Sequence, residues 1–237
     1  LISGAAEERR RFLDWGVFHV EHWFLDAWRR YQRALKQRNA LLRSTPAERD
    51  GLYEPWEREL GESAALIDAA RGAYLDALLP CLEAELARLL PELGPVTLAY
   101  RRGWKEDAVL AEALATQRVR DAGRGHTTQG PHRADWTLGF AEAPQREHLS
   151  RGQEKLTALA CVLAQGALFA QRLGEWPIVC LDDLGSELDQ PHQQALVASL
   201  QAVAAQIVIT GTEIPPALAG TPARVFHVEQ GHLTTLL

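Results

Sequence analysis

With 237 residues, 46% hydrophobic and 24% charged, the chain has the size of one large or two small globular domains, which excludes a disordered, collagenous or purely coiled-coil polypeptide. Its formal net charge of −6 means that any contact with nucleic acid has to come from a local patch. No uninterrupted apolar run approaches bilayer length and no basic-then-apolar leader opens the chain, so a cytoplasmic protein without a membrane partner is expected. The chain starts at Leu1-Ile2-Ser3-Gly4 and holds no Met, so a true start lying upstream is expected. Cys81, Cys161 and Cys180 are far apart and odd in number, the pattern of free thiols in a reducing compartment, with Cys161 and Cys180 expected to be buried in apolar runs.

The first hundred residues read as helix. Phe24, Trp28, Tyr31, Leu35 and Leu42 recur at steps of four and three, with Arg38 interrupting, which predicts one helix from about Trp15 to Arg43. Thr45-Pro46-Ala47-Glu48 has the form of a capping box with Pro at the first helical position, so a second helix should start there. A third is predicted from Glu62 to Leu90, with Leu75, Leu78, Leu82, Leu86 and Leu89 on one stripe and Pro91 and Gly94-Pro95 ending it. Helices joined by short turns pack antiparallel. After Pro95 the pattern changes. Strands are predicted at Val96–Tyr100 and Asp135–Phe140, and short buried strands at Pro177–Leu181 and Gln206–Thr210. Helices are predicted at Lys105–Ala122, Gln153–Arg172 and Gln190–Ala204, and a terminal hairpin around Gln230-Gly231. Strands alternating with helices define an α/β layer. The division expected is a helical lobe over 1–95 and an α/β part over 96–237.

Ile178-Val179-Cys180-Leu181-Asp182-Asp183 has the form of a Walker B strand: an apolar run that buries the strand, then two carboxylates at its end. There the first acid can help to hold Mg²⁺ and the second can orient or deprotonate water. Ordinary buried strands also turn on an Asp, so the pattern alone does not decide. Upstream, Leu149-Ser150-Arg151-Gly152-Gln153 precedes a predicted helix. Ser150 and Gln153 suit a capping box, and Gly152 lets a backbone amide approach an anion at the helix N-terminus. Downstream stands Ser186-Glu187-Leu188-Asp189, in the position of a D-loop. Signature, apolar strand, paired carboxylates and D-loop, in this order, resemble an ABC-type ATPase head.

Three further segments narrow the resemblance: Arg9-Arg10-Arg11-Phe12-Leu13-Asp14-Trp15-Gly16, then Tyr31-Gln32-Arg33-Ala34-Leu35-Lys36-Gln37-Arg38-Asn39-Ala40-Leu41-Leu42, and Gly130-Pro131-His132-Arg133. Together these resemble the RecF family of bacterial recombination mediators, related to SMC-type heads, over essentially the whole chain. The resemblance implies the C-terminal part of an ABC/SMC-type head plus an all-helical antiparallel lobe. It implies ATP and Mg²⁺ as cofactors. Ser150, Arg151, Gly152 and Gln153 become the signature that reaches the γ-phosphate held by a second subunit, Asp182 the metal acid, Asp183 the catalytic carboxylate and Asp189 the D-loop acid at the dimer seam. Also implied are an ATP-dependent homodimer on DNA at duplex–single-strand junctions, partnership with RecR and RecO in loading RecA during gap repair, and slow hydrolysis, since Asp183 is one methylene shorter than the glutamate of fast ABC ATPases. Two departures stand out. No GxxxxGK[ST] loop exists in these residues, and Thr210-Gly211-Thr212-Glu213 lacks the switch histidine of transporter ATPases.

From Arg29 to Arg43 there are six cations and no acid, with Arg29, Arg33 and Lys36 able to share a face. This is either a solvated helix face or a phosphate-contacting DNA patch, and the RecF resemblance raises the second reading. His19 and His22 are expected to pack among Trp15, Phe18 and Trp23 and not to hold metal. His132 and Arg133 serve either a structural turn or a contact to nucleotide or partner. The rival functional classes are a transporter nucleotide-binding subunit, against which the long helical part and the missing histidine argue, and a structural SMC-type clamp, for which the helices are too short.

Overall fold

The computed structural model describes residues 1–45, 51–143, 145, 148–184, 188–203 and 205–236. The elements in chain order are helices α1 (Ala6–Val20), α2 (Phe24–Arg43) and α3 (Tyr53–Leu89), strand β1 (Val96–Arg101), helices α4 (Leu110–Thr116) and α5 (Arg118–Arg124), strand β2 (Asp135–Phe140), helix α6 (Arg151–Leu173), strand β3 (Val179–Leu181), helix α7 (Gln190–Gln201) and strands β4 (Ile207–Ile209), β5 (Phe226–Glu229) and β6 (His232–Thr235). Two compact units result, Leu1–Glu175 and Trp176–Leu237. Compactness therefore divides the chain at a different place from the change of secondary-structure pattern after Pro95.

In the first unit α3 is the central element, packed by α1, α2, α4 and α6. Its predicted stripe, Leu75, Leu78, Leu82, Leu86 and Leu89, is buried throughout. The helix runs without a break from Tyr53 through Pro80, where two were expected; the proposed start at Pro46 and Glu48 lies outside the described residues. Ion pairs of Arg30 with Glu59 and of Arg38 with Glu57 run in opposite chain directions, so α2 and α3 are antiparallel, as expected. Gly16 permits the crossing of α1 over α3 and α6: a Cβ there would sit 2.2 Å from the Tyr74 hydroxyl and 2.5 Å from Gln165 Nε2. That amide nitrogen donates to Phe12 O and to the Tyr74 hydroxyl, which binds the three helices together.

The predicted helix from Trp15 to Arg43 is two helices, broken at Glu21–Trp23, where Glu21 leaves helical geometry (φ −128°, ψ 88°). Periodicity carries no sign of this, because the buried Leu13, Val17, Phe24, Ala27, Tyr31 and Ala34 keep one phase across it. The buried face of α2 is Phe24, Ala27, Tyr31, Ala34, Arg38 and Leu42, which leaves Trp28 36% exposed and Leu35 half-buried. Lys105–Ala122 is likewise not one helix but a turn followed by α4 and α5, which meet at Gln117 and end at the left-handed Gly125. β1 and β2 pair antiparallel in the register Val96↔Phe140 to Arg101↔Asp135.

By length and composition α6 is apolar enough to cross a bilayer, contrary to the expectation drawn from uninterrupted runs. Leu156, Ala160, Leu163, Ala164 and Leu168 are buried and α6 packs on α3, so within this unit it is a core helix. Cys161 lies inside it, and burial pushes its thiol up to about 12.

The second unit pairs β3 with β4 in parallel, Val179↔Ile207 to Leu181↔Ile209, with α7 between them in sequence. These strands are less buried than their apolar runs predict: Ile178 is 63% and Val208 44% exposed, and Cys180 is exposed, not buried as expected. The cause is that β3 and β4, among the described residues, form a sheet of two strands only, which leaves their outward side chains uncovered. β5 and β6 make the expected hairpin, with Gln230 (φ 48°) and Gly231 (φ 80°) both left-handed, as a tight primed turn demands.

Candidate functional site

Ser150 is the N-cap of α6. Its hydroxyl accepts from Gln153 N at 3.2 Å, and Gln153 Oε1 accepts from Ser150 N at 3.0 Å, so the predicted capping box is present. Gln153 Nε2 also donates to Glu92 Oε1. Arg151 and Gly152 are exposed in the first turn. A Cβ at Gly152 would meet only Ser150 Oγ, 4.0 Å away, so nothing inside the chain requires a glycine there. Outside the capping box, the first turn of α6 thus offers the Arg151 and Gly152 amides at the positive end of a 23-residue helix.

Asp182 and Asp183 leave the end of β3, and Thr210 directly follows the adjacent strand β4. Thr210 N donates to Leu181 O at 2.9 Å, the Thr210 hydroxyl donates to Asp182 Oδ1 at 2.5 Å, and Asp183 N donates to Thr210 Oγ1 at 3.2 Å. Asp183 sits at φ 48°, left-handed for a residue other than glycine, which turns the chain sharply between the two acids. Asp182 is exposed and keeps one oxygen in a hydrogen bond, and no group of three or more potential ligands occurs among the described residues. A lone hard carboxylate of this kind suits Mg²⁺, which keeps waters and takes its remaining oxygens from phosphate.

Asp189 is the N-cap of α7, accepting from His192 N at 3.1 Å and from His192 Nδ1; these bonds hold its carboxyl below the usual range. Ser186 and Glu187 of the expected D-loop lie outside the described residues. Ser150–Gln153 belongs to the first unit, and Asp182, Asp183 and Asp189 to the second.

Arg29, Arg33 and Lys36 are exposed on α2, with Arg29 3.9 Å from Asp26. The other cations of that stretch divide. Arg30 is tied to Glu59 and Glu62, and Arg38 is fully buried, so it does not belong to any surface patch. His19 Nδ1 lies 2.7 Å from Trp15 O, and its ring lies against Trp15 at 4.0 Å, the packing role expected of it, whereas His22 is exposed.

Contacts that reasoning from sequence did not foresee form a network around the loop 126–134 and the first residue of β2. Arg9 grips Asp135 with two bonds of 2.7 and 2.9 Å, and Arg10 donates to Ala134 O. Arg71, buried, grips Asp14 with two bonds and donates to Pro131 O. Asn39 Oδ1 accepts from Thr127 N and Thr127 Oγ1. The Tyr31 hydroxyl lies 2.6 Å from His132 Nδ1, and His132 Nε2 lies 3.0 Å from Thr127 O. A neutral ring protonated at Nε2 satisfies both contacts. The three segments that narrowed the family resemblance therefore meet at this loop, and the available signal was Arg38 breaking an apolar stripe.

With both nitrogens engaged, His132 serves the turn; Arg133 stays exposed. Burial above all, with Arg133, Arg10 and His126 as neighbouring cations, lowers the His132 pKa from 6.5 to about 4. The unfolded chain then binds the proton first, so the stability held by the neutral ring is present above pH 6.5 and is lost as pH falls to about 4. Urea midpoints of the chain should fall across that window by an amount equivalent to roughly 3 kcal/mol at most. In His132→Gln that slope should flatten; an unchanged slope would place the titration elsewhere.

No protein-family model matches the chain. Among curated proteins it is similar to the DNA replication and repair protein RecF of Xanthomonas euvesicatoria pv. vesicatoria (strain 85-10), 52% identical over 237 residues, covering 99% of this chain and 64% of that protein. RecF of Stenotrophomonas maltophilia (strain R551-3) is 48% identical over 238 residues, with 100% and 65% covered. The chain thus spans just under two thirds of the length of these relatives. A solved structure of the recombination mediator protein RecF with ATPrS, of the RecFOR pathway, superposes with a TM-score of 0.85 at 24% identity, covering 100% of this chain and 65% of that one. A RecF–ATP structure of the same pathway gives 0.83 at 22% identity, with 99% and 64% covered. These two likenesses concern the fold, and the identity over nearly every residue gives the lineage: over the part it spans, the chain belongs to the RecF family.

Proposed function

We propose that this chain is the signature- and Walker B-bearing part of an ATP-controlled DNA-binding recombination mediator. The observation that carries the reading is the presence, in one RecF-family chain, of a capped helix start at Ser150–Gln153, whose Arg151 and Gly152 amides are left open, and, in the other unit, of an acid pair held by Thr210 at the end of a parallel strand. In the full-length protein, where this chain is joined to the further length its relatives carry, ATP and Mg²⁺ are the cofactors. Ser150, Arg151, Gly152 and Gln153 serve the γ-phosphate held by a second subunit. Asp182 holds Mg²⁺, which when bound neutralises phosphate charge. Asp183 orients the attacking water, and Asp189, besides capping α7, borders the dimer seam. Residues 1–95 act as a helical lobe and 96–237 as the head part. The protein works in the cytoplasm on duplex–single-strand junctions with RecR and RecO, aiding RecA loading, and slow hydrolysis opens the dimer.

Arg29, Arg33 and Lys36 bind DNA phosphates in this reading. Their exposure on one face, at steps of four and three, supports it. Neutralising all three leaves the buried face of α2 untouched, and exposed charges contribute little to stability, so the fold should hold. DNA affinity of the ATP-bound full-length protein should fall alike for all sequences. The slope of log affinity against log salt should become shallower by up to about 0.9 for each duplex phosphate that the variant no longer neutralises. An unchanged salt slope would return these residues to a solvated helix face. The DNA surface would then be sought around Arg101, Arg102 and Lys105, of which Arg102 is already engaged beside Asp68 and over Trp104, while Arg101, 3.5 Å from Asp135, and Lys105 are exposed.

A further inference from the structure

In this chain Thr210 directly follows the strand next to the paired acids, and Thr210-Gly211-Thr212-Glu213 holds no histidine. Thr210 is hydrogen-bonded to the end of β3 through backbone and side chain alike. Its amide extends the parallel pairing to Leu181 O, its hydroxyl donates to Asp182 Oδ1, and the same oxygen accepts from Asp183 N. One hydroxyl therefore touches the side chain of the first acid and the backbone of the second. All these residues lie within the unit Trp176–Leu237.

We infer that Thr210 is a positioning residue for the acid pair: it orients the Asp182 carboxylate and fixes the turn that separates Asp182 from Asp183.

A hydroxyl can do this because it donates and accepts through one atom. Its proton goes to Asp182 Oδ1, which stops the carboxylate from rotating about its terminal bond and leaves Oδ2 for a metal. Its lone pair takes Asp183 N, the amide of a residue at φ 48°. Such a backbone is uncommon outside glycine; aspartate tolerates it better than most side chains, and the bond to Thr210 adds to what holds it. The hydroxyl acts on the metal through a ligand, as a partner one step removed from the ion. Losing such a partner typically costs about 10–100-fold in metal affinity or activity.

This inference rests on the reading of Asp182 as the metal acid, and the experiment keeps the two apart. Thr210→Val preserves the shape and removes the hydroxyl; Thr210→Ser preserves the hydroxyl and removes a methyl group. In the full-length protein, ATP binding would be titrated with Mg²⁺, and thermal unfolding would be followed without nucleotide. Thr210→Val should raise the Mg²⁺ concentration at half-saturation by about 10–100-fold, and Thr210→Ser should restore it to within about threefold of the parent. A merely structural role would lower the unfolding temperature and leave the Mg²⁺ midpoint in place. An unchanged midpoint in Thr210→Val overturns the positioning role while the ATPase reading stands. A parent protein whose ATP binding ignores Mg²⁺ overturns both.

Discussion

Arg38→Met should destabilise the chain by about 3–5 kcal/mol, the range seen when one partner of a buried ion pair is removed. Arg38 is 0% exposed and spends every nitrogen: Nε on Glu57 at 3.1 Å, Nη1 on Asp121 and Thr127 Oγ1 at 2.8 Å each, and Nη2 on Leu114 O at 2.9 Å. Its removal leaves the acids unequally provided. Glu57 keeps Arg118, whereas Asp121, also 0% exposed, keeps only neutral donors such as the Thr128 hydroxyl. A domain's whole stability is about 5–15 kcal/mol, so much of the first unit's folded population at 37 °C is at stake. Arg38→Lys should recover only part, since an ammonium cannot reproduce a planar fork bonded on three sides. Arg38→Met combined with Asp121→Asn should be more stable than Arg38→Met alone, because it removes the orphaned charge. Urea unfolding followed by Trp fluorescence decides; a loss below about 1 kcal/mol would mean that the network is worth no more than a surface pair.

Arg38 also shows where the sequence was hard to read. Periodicity located the α2 stripe through Phe24, Tyr31 and Leu42, and the one position that broke it was the anchor of a four-element network. A charged residue at a core phase reads equally as an interruption or as a buried pair, and only the partners decide. Those partners, Asp121 and Thr127, stand more than eighty residues away. The α1–α2 break was hidden for the opposite reason: Leu13, Val17, Phe24 and Ala27 stay in phase, so the pattern is continuous where the backbone is not. Strands β1 and β2, the capping box of α6 and the terminal hairpin were legible because their signals are local: alternation, a serine three residues before a glutamine, and a residue pair able to turn left-handed.

The candidate site divides the same way. Ser150, Gly152, Asp182 and Asp183 were found from short spacings within single segments. Thr210 was not, since its link to Asp182 exists only through the parallel register Leu181↔Ile209. His132 and Arg133, adjacent in sequence, part company in space, one sealed into a turn and the other exposed.

Asp183→Asn in the full-length protein should reduce ATP turnover by at least about 100-fold, the contribution of a positioned acid–base group, while leaving the ATP-bound dimer intact and longer-lived. Asparagine is the informative substitute because it accepts the left-handed backbone seen at φ 48°, so charge is removed without straining the turn. A β-branched replacement would confound the two, adding a backbone cost of order 1–3 kcal/mol. Ser150→Arg should give the complementary result. The new side chain and the missing hydroxyl both fall at the N-cap of α6, where Gln153 N would lose its acceptor and a cation would face the positive end of the helix. Binding of ATP by the monomer should survive, because in the proposed reading the signature serves the nucleotide of the opposite subunit, but ATP-dependent dimerisation should vanish. Size-exclusion chromatography with light scattering, run with ATP and Mg²⁺, separates the cases: dimer retained in Asp183→Asn and absent in Ser150→Arg. Equal loss of monomer ATP binding in Ser150→Arg, measured by equilibrium dialysis, would contradict the assignment to the opposite subunit. Turnover at the parent rate in Asp183→Asn would move the catalytic carboxylate elsewhere. The two variants lie in separate units of the chain, and unfolding temperatures measured without nucleotide would separate a fault in the folding of either unit from a fault in chemistry.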